Sequence, residues 1–517
     1  MNSNIYTDIS KNLTYLKNVY HSNISTDVVI RDFSILVNDV RYGAFIIFID
    51  GMADGKIINS SILKPLMVRN DGNSFKISSE SYSTKDNIID ICSYISDCLL
   101  PQNSTAQIKT FEEVFSAINM GNCVLFIDTV DEAFNFDVKG FKQREINTPS
   151  NEIVVRGSQE SFVENLRTNT TILRRLINSE KLVLENLSVG KLTKTKIVIS
   201  YIDGITNTSL ISEVRRRISN LNIDYLTSSG QLEQLIQDNP NNIFPQTLAT
   251  ERPDKAINYL LDGRICILVN GNPYALIVPG VFLDFLSSPE DLNIKFQYAN
   301  LSKIIRLIAV FLSVLLPGIY IAITNYHQDL IPTELLFTIA ASRESVPFPT
   351  VVEILLMETS FELIREAGLR VPTPLGTTIG IVGALILGDA AVSASLVSPI
   401  LIIIVAITGI CSFSIPDFSL NFTFRILRFI YIILGYIAGF LGIGIGLFIQ
   451  LAVMCNLETF GTPYLDPSRL KKRSISNYFV LPIWKREKIS AFMNSRKKRI
   501  QNKISMNWRN KSWLILN

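Results

Sequence analysis

The distribution of apolar residues divides the chain at about residue 301. Before this point, short apolar runs alternate with polar segments, whereas long uncharged runs follow it. Because a bilayer core needs roughly 20 residues of helix, we interpret four of these runs as membrane spans. They are predicted at about 305–324, 376–398, 400–416 and 429–455. The sequence therefore predicts a soluble N-terminal region followed by an all-α membrane domain over 301–460.

A half-apolar stretch, Leu330 to Pro374, separates the first two predicted spans and is rich in Pro and Glu. Its most apolar part, Leu335–Ala341, is too short to cross a bilayer. Irregular or short helical backbone is tolerated at membrane depth where protein covers it. We therefore predict a re-entrant or interfacial segment here.

The N-terminal region is predicted to contain two α/β subdomains, 31–150 and 151–300. In the first, the apolar runs Tyr42–Asp50 and Asn122–Val130 flank a helical stretch, Ile108–Ile118, which favours a mixed or parallel sheet. Residues 1–30 are polar and are predicted to be a mobile segment that includes a short helix. The sequence has no fixed-period repeat.

Turn and cap signals place the elements of the second subdomain. Pro253 and Gly263 bound a helix, Asn270-Gly271 predicts a hairpin turn, and Ser161 with Glu164 matches a capping box. The predicted strands are Leu182–Leu187, Lys196–Tyr201, Ile265–Val269 and Tyr274–Val278, and the predicted helices are Ser161–Ile177, Ser209–Ser219, Gln231–Gln237 and Pro253–Leu261.

Charge is unevenly distributed along the chain. The net charge is +3, yet residues 466–517 carry 14 Lys and Arg against two acidic residues, so the remainder is acidic. A nucleic-acid binder would instead spread basic charge over a folded face. Basic residues collect on the cytoplasmic side of membrane spans, which places the tail, 461–517, and the side of Lys303 and Arg306 there. Four crossings satisfy this topology and put Arg425 and Arg428 at the outer end of the last span.

The residues that carry catalysis are sparse. His21 and His327 are the only histidines, and no metal-ligand spacing or phosphate-binding loop occurs outside the predicted spans. The glycine-rich run from Gly442 to Gly446 lies inside a span, where closely spaced glycines serve helix packing. We therefore predict that the protein is not an enzyme and has no catalytic residue, cofactor or metal.

One acidic residue interrupts the apolar runs. Asp389 is the only charged residue between Gly376 and Ile415, and exposing it to lipid would cost about 2.5–3.5 kcal/mol. It is either a buried Asp bonded to a Ser or Thr of the next helix or part of a ring of carboxylates that attracts cations in a symmetric oligomer. Candidate vestibule residues at helical spacing are Glu358, Glu362 and Glu366.

Two further groups are candidates for interfaces and packing. An amphipathic segment near residue 165 and a charged segment near residue 252 form either internal junctions or contacts with another subunit. These candidates are Arg156, Glu160, Glu164, Arg167, Asn169, Arg174, Glu251, Arg252 and Asp254. Glycines spaced for close helix packing are Gly435, Gly439, Gly442 and Gly446.

Three long segments make the sequence familiar. They are RGSQESFVENLRTNTTILRRLI, FPQTLATERPDKAINYLLDGRICILVNGNPYALIVP and VPFPTVVEILLMETSFELIREAGLRVPTPLGTTIGIVGALILGDAAVSASLVSP. Together they resemble the A subunit of the GerA-type spore germination receptors, over roughly residues 25–480. Ser158-Gln159 stand where many members have Pro-Arg.

This resemblance implies a location in the inner membrane of a bacterial spore. It also implies a complex with a transporter-like B subunit, which binds the nutrient, and a lipoprotein C subunit. Self-association into a ring, a pentamer in this family, would form a nutrient-gated cation channel. The alternative is a stand-alone transporter of a small solute or ion, a class that usually has many spans and internal span repeats.

Overall fold

The computed structural model describes residues 4–37, 40–67, 105–140, 149, 152–370, 388–465 and 479–482. These residues form two five-stranded sheets with their helices, followed by a helical region and a short hairpin that returns to the second sheet.

The first sheet has the strand order β1-β2-β4-β5-β3, and all of its pairs are antiparallel. Its strands are β1 (Val28–Val37), β2 (Val40–Ile49), β3 (Thr105–Ile108), β4 (Cys123–Ile127) and β5 (Ala133–Phe136). The expectation of a mixed or parallel sheet is therefore wrong. The connections from β1 to β2 and from β4 to β5 are too short for the crossover that parallel pairing requires.

Three helices accompany this sheet: α1 (Ile9–Val19), α2 (55–67, with a π-helical middle, Ile58–Leu63) and α3 (Phe111–Asn119). Leu16 and Tyr20, in and just after α1, are fully buried. Tyr20 packs edge-on against Phe115 of α3, with ring centroids 5.9 Å apart. The predicted mobile segment thus does not describe residues 4–30, which pack on the sheet and lead into β1.

The second sheet has the order β6-β7-β9-β10-β8 and is also antiparallel. Its strands are β6 (Leu182–Val189), β7 (Thr195–Ile202), β8 (Leu248–Thr250), β9 (Ile265–Val269) and β10 (Ala275–Val278), and its helices are α4 (Leu166–Leu176), α5 (Thr208–Ser219), α6 (Ser229–Ile236), α7 (Pro253–Leu261) and the short α8 (Phe282–Phe285).

The turn and cap signals of the sequence predicted some elements of this subdomain correctly and others incorrectly. The bounds of α7 and β9 are confirmed, and the predicted hairpin joins β9 to β10. Gly263, just past α7, has a φ of +88°, which favours glycine. The capping box at Ser161 and Glu164 is wrong, because α4 begins at Leu166 and the Asn165 side chain accepts hydrogen bonds from the first turn.

The two subdomains repeat one topology, since their strand orders are identical when numbered from the first strand of each. The repeat is closest where α3, β4 and β5 correspond to α7, β9 and β10. Both helices have nine residues, and each is followed two residues later by a glycine with positive φ, Gly121 and Gly263. Low sequence similarity concealed this duplication, because only the backbone turns and the apolar pattern are shared.

Charged side chains of α4 join the two subdomains. The Arg174 guanidinium is almost fully buried and donates to both carboxylate oxygens of Asp27, at 2.7 and 3.0 Å, and to Ser25 at 3.1 Å. Arg167, two turns earlier on the same face of α4, forms a more exposed ion pair with Asp50. The second subdomain therefore contacts the residues just before β1 and just after β2 through one buried and one exposed arginine.

The helical region begins directly after the second sheet. Its helices are α9 (Phe296–Tyr326), α10 (Thr333–Arg343), α11 (Thr350–Arg370), α12 (Pro399–Phe413) and α13 (Phe418–Asn456). Short 3₁₀ turns precede and follow α9, at Pro289–Leu292 and Gln328–Leu330. Among the described residues, α9 and α13 are long and apolar enough to cross a membrane, while α12 is apolar but shorter. Most of the predicted span at 376–398 lies outside the described residues. Residues 388–398 of this span are described, and 388–393 are helical.

The predicted single span at 429–455 is wrong, because α13 is a helical hairpin. Gly439 has φ +59° and ψ −138°, a conformation restricted to glycine, and it breaks the helix into two legs. The legs run antiparallel, since the Tyr431 hydroxyl donates to the Gln450 side chain at 2.5 Å. The first leg lies parallel to α9, whose Tyr326 hydroxyl bonds the carbonyls of Tyr436 and Ile437 near the tip.

Replacing the buried arginine at the subdomain junction is expected to destabilise the chain strongly. Arg174→Ala leaves Asp27 without its partner, a change that typically costs about 3–5 kcal/mol. Arg167→Ala on the same helix removes an exposed pair and is expected to cost at most about 1 kcal/mol. Proteolysis of the full chain across a urea series would measure both variants. Equal losses for the two would contradict the assignment of Arg174 as the principal contact.

Candidate functional site in the helical region

A buried ion pair lies at the centre of the helical region. Arg428 of α13 donates to the Glu358 carboxylate of α11 at 2.6 Å and to the Ser313 backbone carbonyl of α9 at 2.8 Å. Both side chains have essentially no exposure. A buried charge is tolerated only with a close partner and further hydrogen bonds. The two contacts of Arg428 therefore tie three helices together at one level.

Further charged groups extend this pair toward α12. Glu362, one turn after Glu358, pairs with Arg425 of α13, and its other oxygen lies 3.9 Å from both Arg365 and Arg428. Arg365 donates to the Ser412 hydroxyl of α12 at 2.5 Å. We call these five side chains (Glu358, Glu362, Arg365, Arg425 and Arg428) the charge cluster.

The structure places the four acidic residues predicted to line a pore or vestibule in different surroundings. Glu358 and Glu362 lie in the charge cluster rather than on a solvated rim, which corrects their interpretation as vestibule residues. Glu366 is exposed, farther along α11. Asp389 is exposed on the helical turn 388–393, whose Ala391 packs with Leu401 in the bundle. The four acidic side chains thus do not form one surface within the chain.

The packing glycines contact helices of the same chain. A Cβ at Gly435 would lie 2.6 Å from the Gly318 carbonyl oxygen of α9, so the two backbones touch. Gly442 and Gly446 lie against Leu434 of the opposite leg. Gly439 forms the break at the tip, beside Tyr326. These four glycines therefore build the hairpin and its contact with α9.

The arginines and carboxylates proposed as interface residues mostly serve internal junctions. Arg252 is fully buried, pairs with Asp254 and donates to the carbonyls of Glu152 and Ser158, while the Glu251 carboxylate accepts from the Glu152 backbone. The other candidates divide into Glu160, paired with Arg175; Asn169, bonded to the Val163 backbone; Arg167 and Arg174 at the subdomain junction; and the exposed Arg156 and Glu164.

The helical region is anchored to the second subdomain at three points. At the start of α9, Arg306 donates to the buried Asp291 at 2.9 and 3.1 Å. At the start of α13, the Thr423 hydroxyl bonds the Ile243 carbonyl at 2.5 Å. Beyond α13, the Thr459 hydroxyl donates to the Gly280 carbonyl at 2.9 Å. Both ends of the α13 hairpin therefore lie on the side of the two α/β subdomains, whereas the predicted topology puts Arg425 and Arg428 at the opposite end of the last span.

The segment after α13 is a small strand pair, β11 (Glu458–Thr459) and β12 (Thr462–Pro463), that docks on the second subdomain. The Phe460 backbone N–H donates to Asp238 at 2.7 Å, and the Arg217 guanidinium lies 4.2 Å over the Phe460 ring. Tyr464 is buried among aromatic rings, including Phe282. This docked segment fixes the returning leg of the hairpin.

Two buried carboxyl groups, Asp417 and Glu233, lie near the foot of α13 and carry raised pKa values. Asp417 caps the helix by accepting from the Leu420 N–H at 2.9 Å, and burial raises its pKa. Burial likewise raises the pKa of Glu233 in α6, with a contribution from the charge of Asp417. A carboxyl with a raised pKa in the folded state stabilises that state most when protonated. These two carboxyl groups therefore favour the folded state at low pH, and this contribution is lost as the pH rises through their raised pKa values.

The charge cluster was missed because its partners are distant in sequence. The sequence analysis only places Arg425 and Arg428 at the outer end of the last predicted span. The available signal was their position beside an apolar run, because a charge there needs a partner. Within the described ranges, no three or more His, Cys, Asp and Glu side chains are grouped so that they could hold a metal ion.

This geometry defines a two-subdomain α/β protein whose second subdomain is joined to a bundle of apolar helices. The model of the Bacillus/Clostridium GerA spore germination protein family matches residues 14–491. The chain belongs to this family, so the resemblance drawn from the sequence is confirmed.

Individual relatives agree over nearly the whole length. Spore germination protein KA of Bacillus subtilis (strain 168) is 38% identical over 486 residues, which cover 94% of this chain and 86% of that protein. Spore germination protein B1 of the same organism is 35% identical over 464 residues, covering 90% and 92%. The crystal structure of the N-terminal domain of the A subunit of the Bacillus megaterium spore germinant receptor GerK3 has 30% identity and a TM-score of 0.41, covering 55% of this chain and 98% of that one.

Breaking the buried pair is expected to cost more than removing it. Glu358→Gln leaves Arg428 charged and unpaired, with an expected loss of about 3–5 kcal/mol, whereas the double variant Glu358→Leu/Arg428→Met replaces the pair with apolar side chains and is expected to recover most of this loss. Thermal unfolding of the detergent-solubilised full chain would rank the variants. A double variant that is less stable than Glu358→Gln would contradict this account.

The hairpin break predicts a specific requirement for glycine. Gly439→Ala places a side chain in a backbone conformation that costs about 1–3 kcal/mol, and it approaches Tyr326 at 3.2 Å. Gly444 lies in the second leg with nothing within 4 Å of its Cβ position, so Gly444→Ala is the matched control and should be neutral or mildly stabilising. Thermal stability of the two variants tests this, and equal stability would mean that the helix does not need the break.

Proposed function

We propose that this protein is the A subunit of a nutrient-sensing germination receptor in the inner membrane of a spore. In this proposal it assembles with a transporter-like B subunit and a lipoprotein C subunit, and its copies form a ring, a pentamer as the family resemblance implies. The ring is a germinant-gated cation channel that starts germination. Membership of the family of spore germination proteins supports the role in germination.

The observation that carries the channel proposal is the placement of Asp389. On the turn 388–393, Gly388 and Ala391 face the bundle, whereas Asp389 and Ala390 are exposed. The bundle therefore does not bury this carboxylate as a packing residue. Exposure to lipid would cost about 2.5–3.5 kcal/mol, which favours a position where copies of the chain surround water. Carboxylates repeated around such an axis attract cations and exclude anions.

The apolar surface supports self-association within a membrane. The most apolar stretch of α13 is only 28% buried, against 61% for that of α9. Large side chains such as Phe448, Leu441 and Ile437 are more than half exposed. Apolar surface of this extent is normally covered by lipid or by another protein. We assign the α13 hairpin to the lipid-facing and subunit-facing side of the bundle.

The proposed orientation puts the soluble subdomains and the tail in the cytoplasm. The basic residues near the start of α9 and α13 lie on the side of the two α/β subdomains, as expected for the cytoplasmic side of a membrane protein. Since α13 leaves and returns on this side, the number of crossings is even. In this orientation, a cytoplasmic or partner protein that contacts the two subdomains could transmit a conformational change through them to the helices.

Removing the charge of Asp389 tests the channel. Asp389→Asn keeps the size of the side chain, so the receptor should assemble normally and release spore cations several-fold more slowly after germinant addition, because the ring no longer concentrates cations. The control is Glu344→Gln, which removes an exposed carboxylate between α10 and α11 and should leave release unchanged. Normal cation release from fully assembled Asp389→Asn receptors would contradict the ring.

A further inference from the structure

We propose that residues 152–158, which we call the junction loop, form a membrane-surface contact. In this contact the apolar side chains of Ile153 and Val155 enter the interfacial layer of a phospholipid bilayer and hold the second subdomain against it. The inference rests on the proposed membrane location of the helical region, but not on the proposed ring or channel.

The junction loop exposes two large apolar side chains. Ile153 is 76% exposed and Val155 is 92% exposed, whereas Val154 between them is buried. Val155 is the most exposed of the large apolar side chains in the described part of the chain. Single exposed apolar side chains are common on protein surfaces, so the meaning of this pair depends on how the loop is held and where it lies.

Hydrogen bonds fix the loop in this conformation. The buried Arg252 guanidinium donates to the carbonyls of Glu152 at 3.1 Å and Ser158 at 2.9 Å, at the two ends of the loop. The Gln159 side chain donates to the Val154 carbonyl at 3.2 Å. Because both ends and the middle are held, the apolar side chains on either side of Val154 stay outside the protein.

The loop lies on the edge of the second sheet that faces the helical region. Its Glu152 carboxylate accepts a hydrogen bond from the Thr250 hydroxyl of β8, which is an edge strand. The carbonyls of Ile243 and Gly280, to which the helical region is anchored, belong to residues shortly before β8 and shortly after the neighbouring strand β10. The opposite edge strand is β6, which faces the first subdomain.

A close contact places the loop beside the membrane entry of α9. A Cβ at Gly157 would lie 2.8 Å from the side-chain nitrogen of Asn293. Asn293 is two residues after Asp291, whose carboxylate binds Arg306 of α9. Arg306 directly precedes the uncharged stretch that begins at Leu307. The junction loop therefore lies near the level at which α9 becomes apolar.

The first turns of α9 have the surface expected at a membrane boundary. Four side chains at helical spacing, each more than half exposed, form a stripe there: Tyr298, Leu301, Ile305 and Ile308. Tyrosine is enriched at the membrane–water interface, and an exposed basic side chain near the bilayer, such as Arg156 of the loop, is attracted to anionic lipid. The loop and α9 thus both expose apolar surface at this boundary, which favours lipid as the occupant.

The test measures contact between single tryptophans and lipid in nanodiscs of phosphatidylglycerol and phosphatidylcholine. The full chain has three tryptophans, Trp484, Trp508 and Trp513, and all three are first replaced by phenylalanine. Val155→Trp in this background should lose about half of its emission to spin-labelled headgroups, since interfacial segments lie within about 5–10 Å of the boundary between headgroups and acyl chains. Ile153→Trp is a second probe with the same expected result.

Two further variants are controls in the same background. Leu192→Trp replaces another apolar side chain that is 81% exposed, in the turn after β6, about 19 Å from β8 across four strand spacings. Its emission should be quenched by iodide in solution and not by lipid. Phe448→Trp, on the exposed surface of the α13 hairpin, reports the membrane location and should be quenched by lipids labelled in the acyl chains.

The outcomes separate this inference from the membrane location on which it rests. Lipid quenching of Val155→Trp and Phe448→Trp, but not of Leu192→Trp, supports the junction loop as a lipid contact. Quenching of Phe448→Trp alone overturns the inference and leaves the membrane location standing. Protection of Val155→Trp from iodide without lipid quenching assigns the loop to a protein contact, such as a second copy of the chain, and also overturns it. Failure of lipid to quench Phe448→Trp would contradict the membrane location, and the inference with it.

Discussion

The ion pair between Glu358 and Arg428 fixes the arrangement of the helical region. Because neither charge reaches solvent, each can be tolerated only while the other stays in contact. Arg428 also bonds the Ser313 carbonyl, so the pair sets the register of α9 against α13. The backbone contact between Gly318 and Gly435, and the hydrogen bonds from Tyr326 to the hairpin tip, exist only in this register. The pair therefore determines the position of the hairpin, and Arg365 of the same helix α11 links it to Ser412 of α12.

The sequence predicted elements whose determinants are local. Pro253 and Gly263 mark the ends of α7, and the apolar run Ile265–Val269 is the buried strand β9, so these bounds are confirmed. Sheet direction was wrong because buried runs flanking a helix look alike in parallel and antiparallel sheets. The duplication of the two subdomains was invisible for a related reason. It preserves the path of the backbone, including the glycines after α3 and α7, but hardly any side chains.

The charge cluster and the hairpin depend on contacts that no local pattern encodes. Glu358 and Arg428 are far apart along the chain, and only their pairing explains why a charged residue stands in an apolar helix. The glycines of α13 were recognised as packing positions, yet the same spacing fits a straight span and a hairpin. The positive φ at Gly439 distinguishes the hairpin from a straight span, and this angle is a property of the folded backbone. Asp389 differs from these residues, because its isolation in an apolar run makes it a candidate from the sequence alone.

The two anchored ends of the α13 hairpin have a mechanical consequence. Thr423 and Thr459 hold both legs to the second subdomain, and the docked residues Phe460 and Tyr464 leave little slack in the returning connection. The hairpin and this subdomain are therefore mechanically coupled, and the Gly439 tip beside the end of α9 is the part of the hairpin farthest from the anchors. A rotation of the second subdomain that carried the hairpin with it would displace the tip more than the anchored ends.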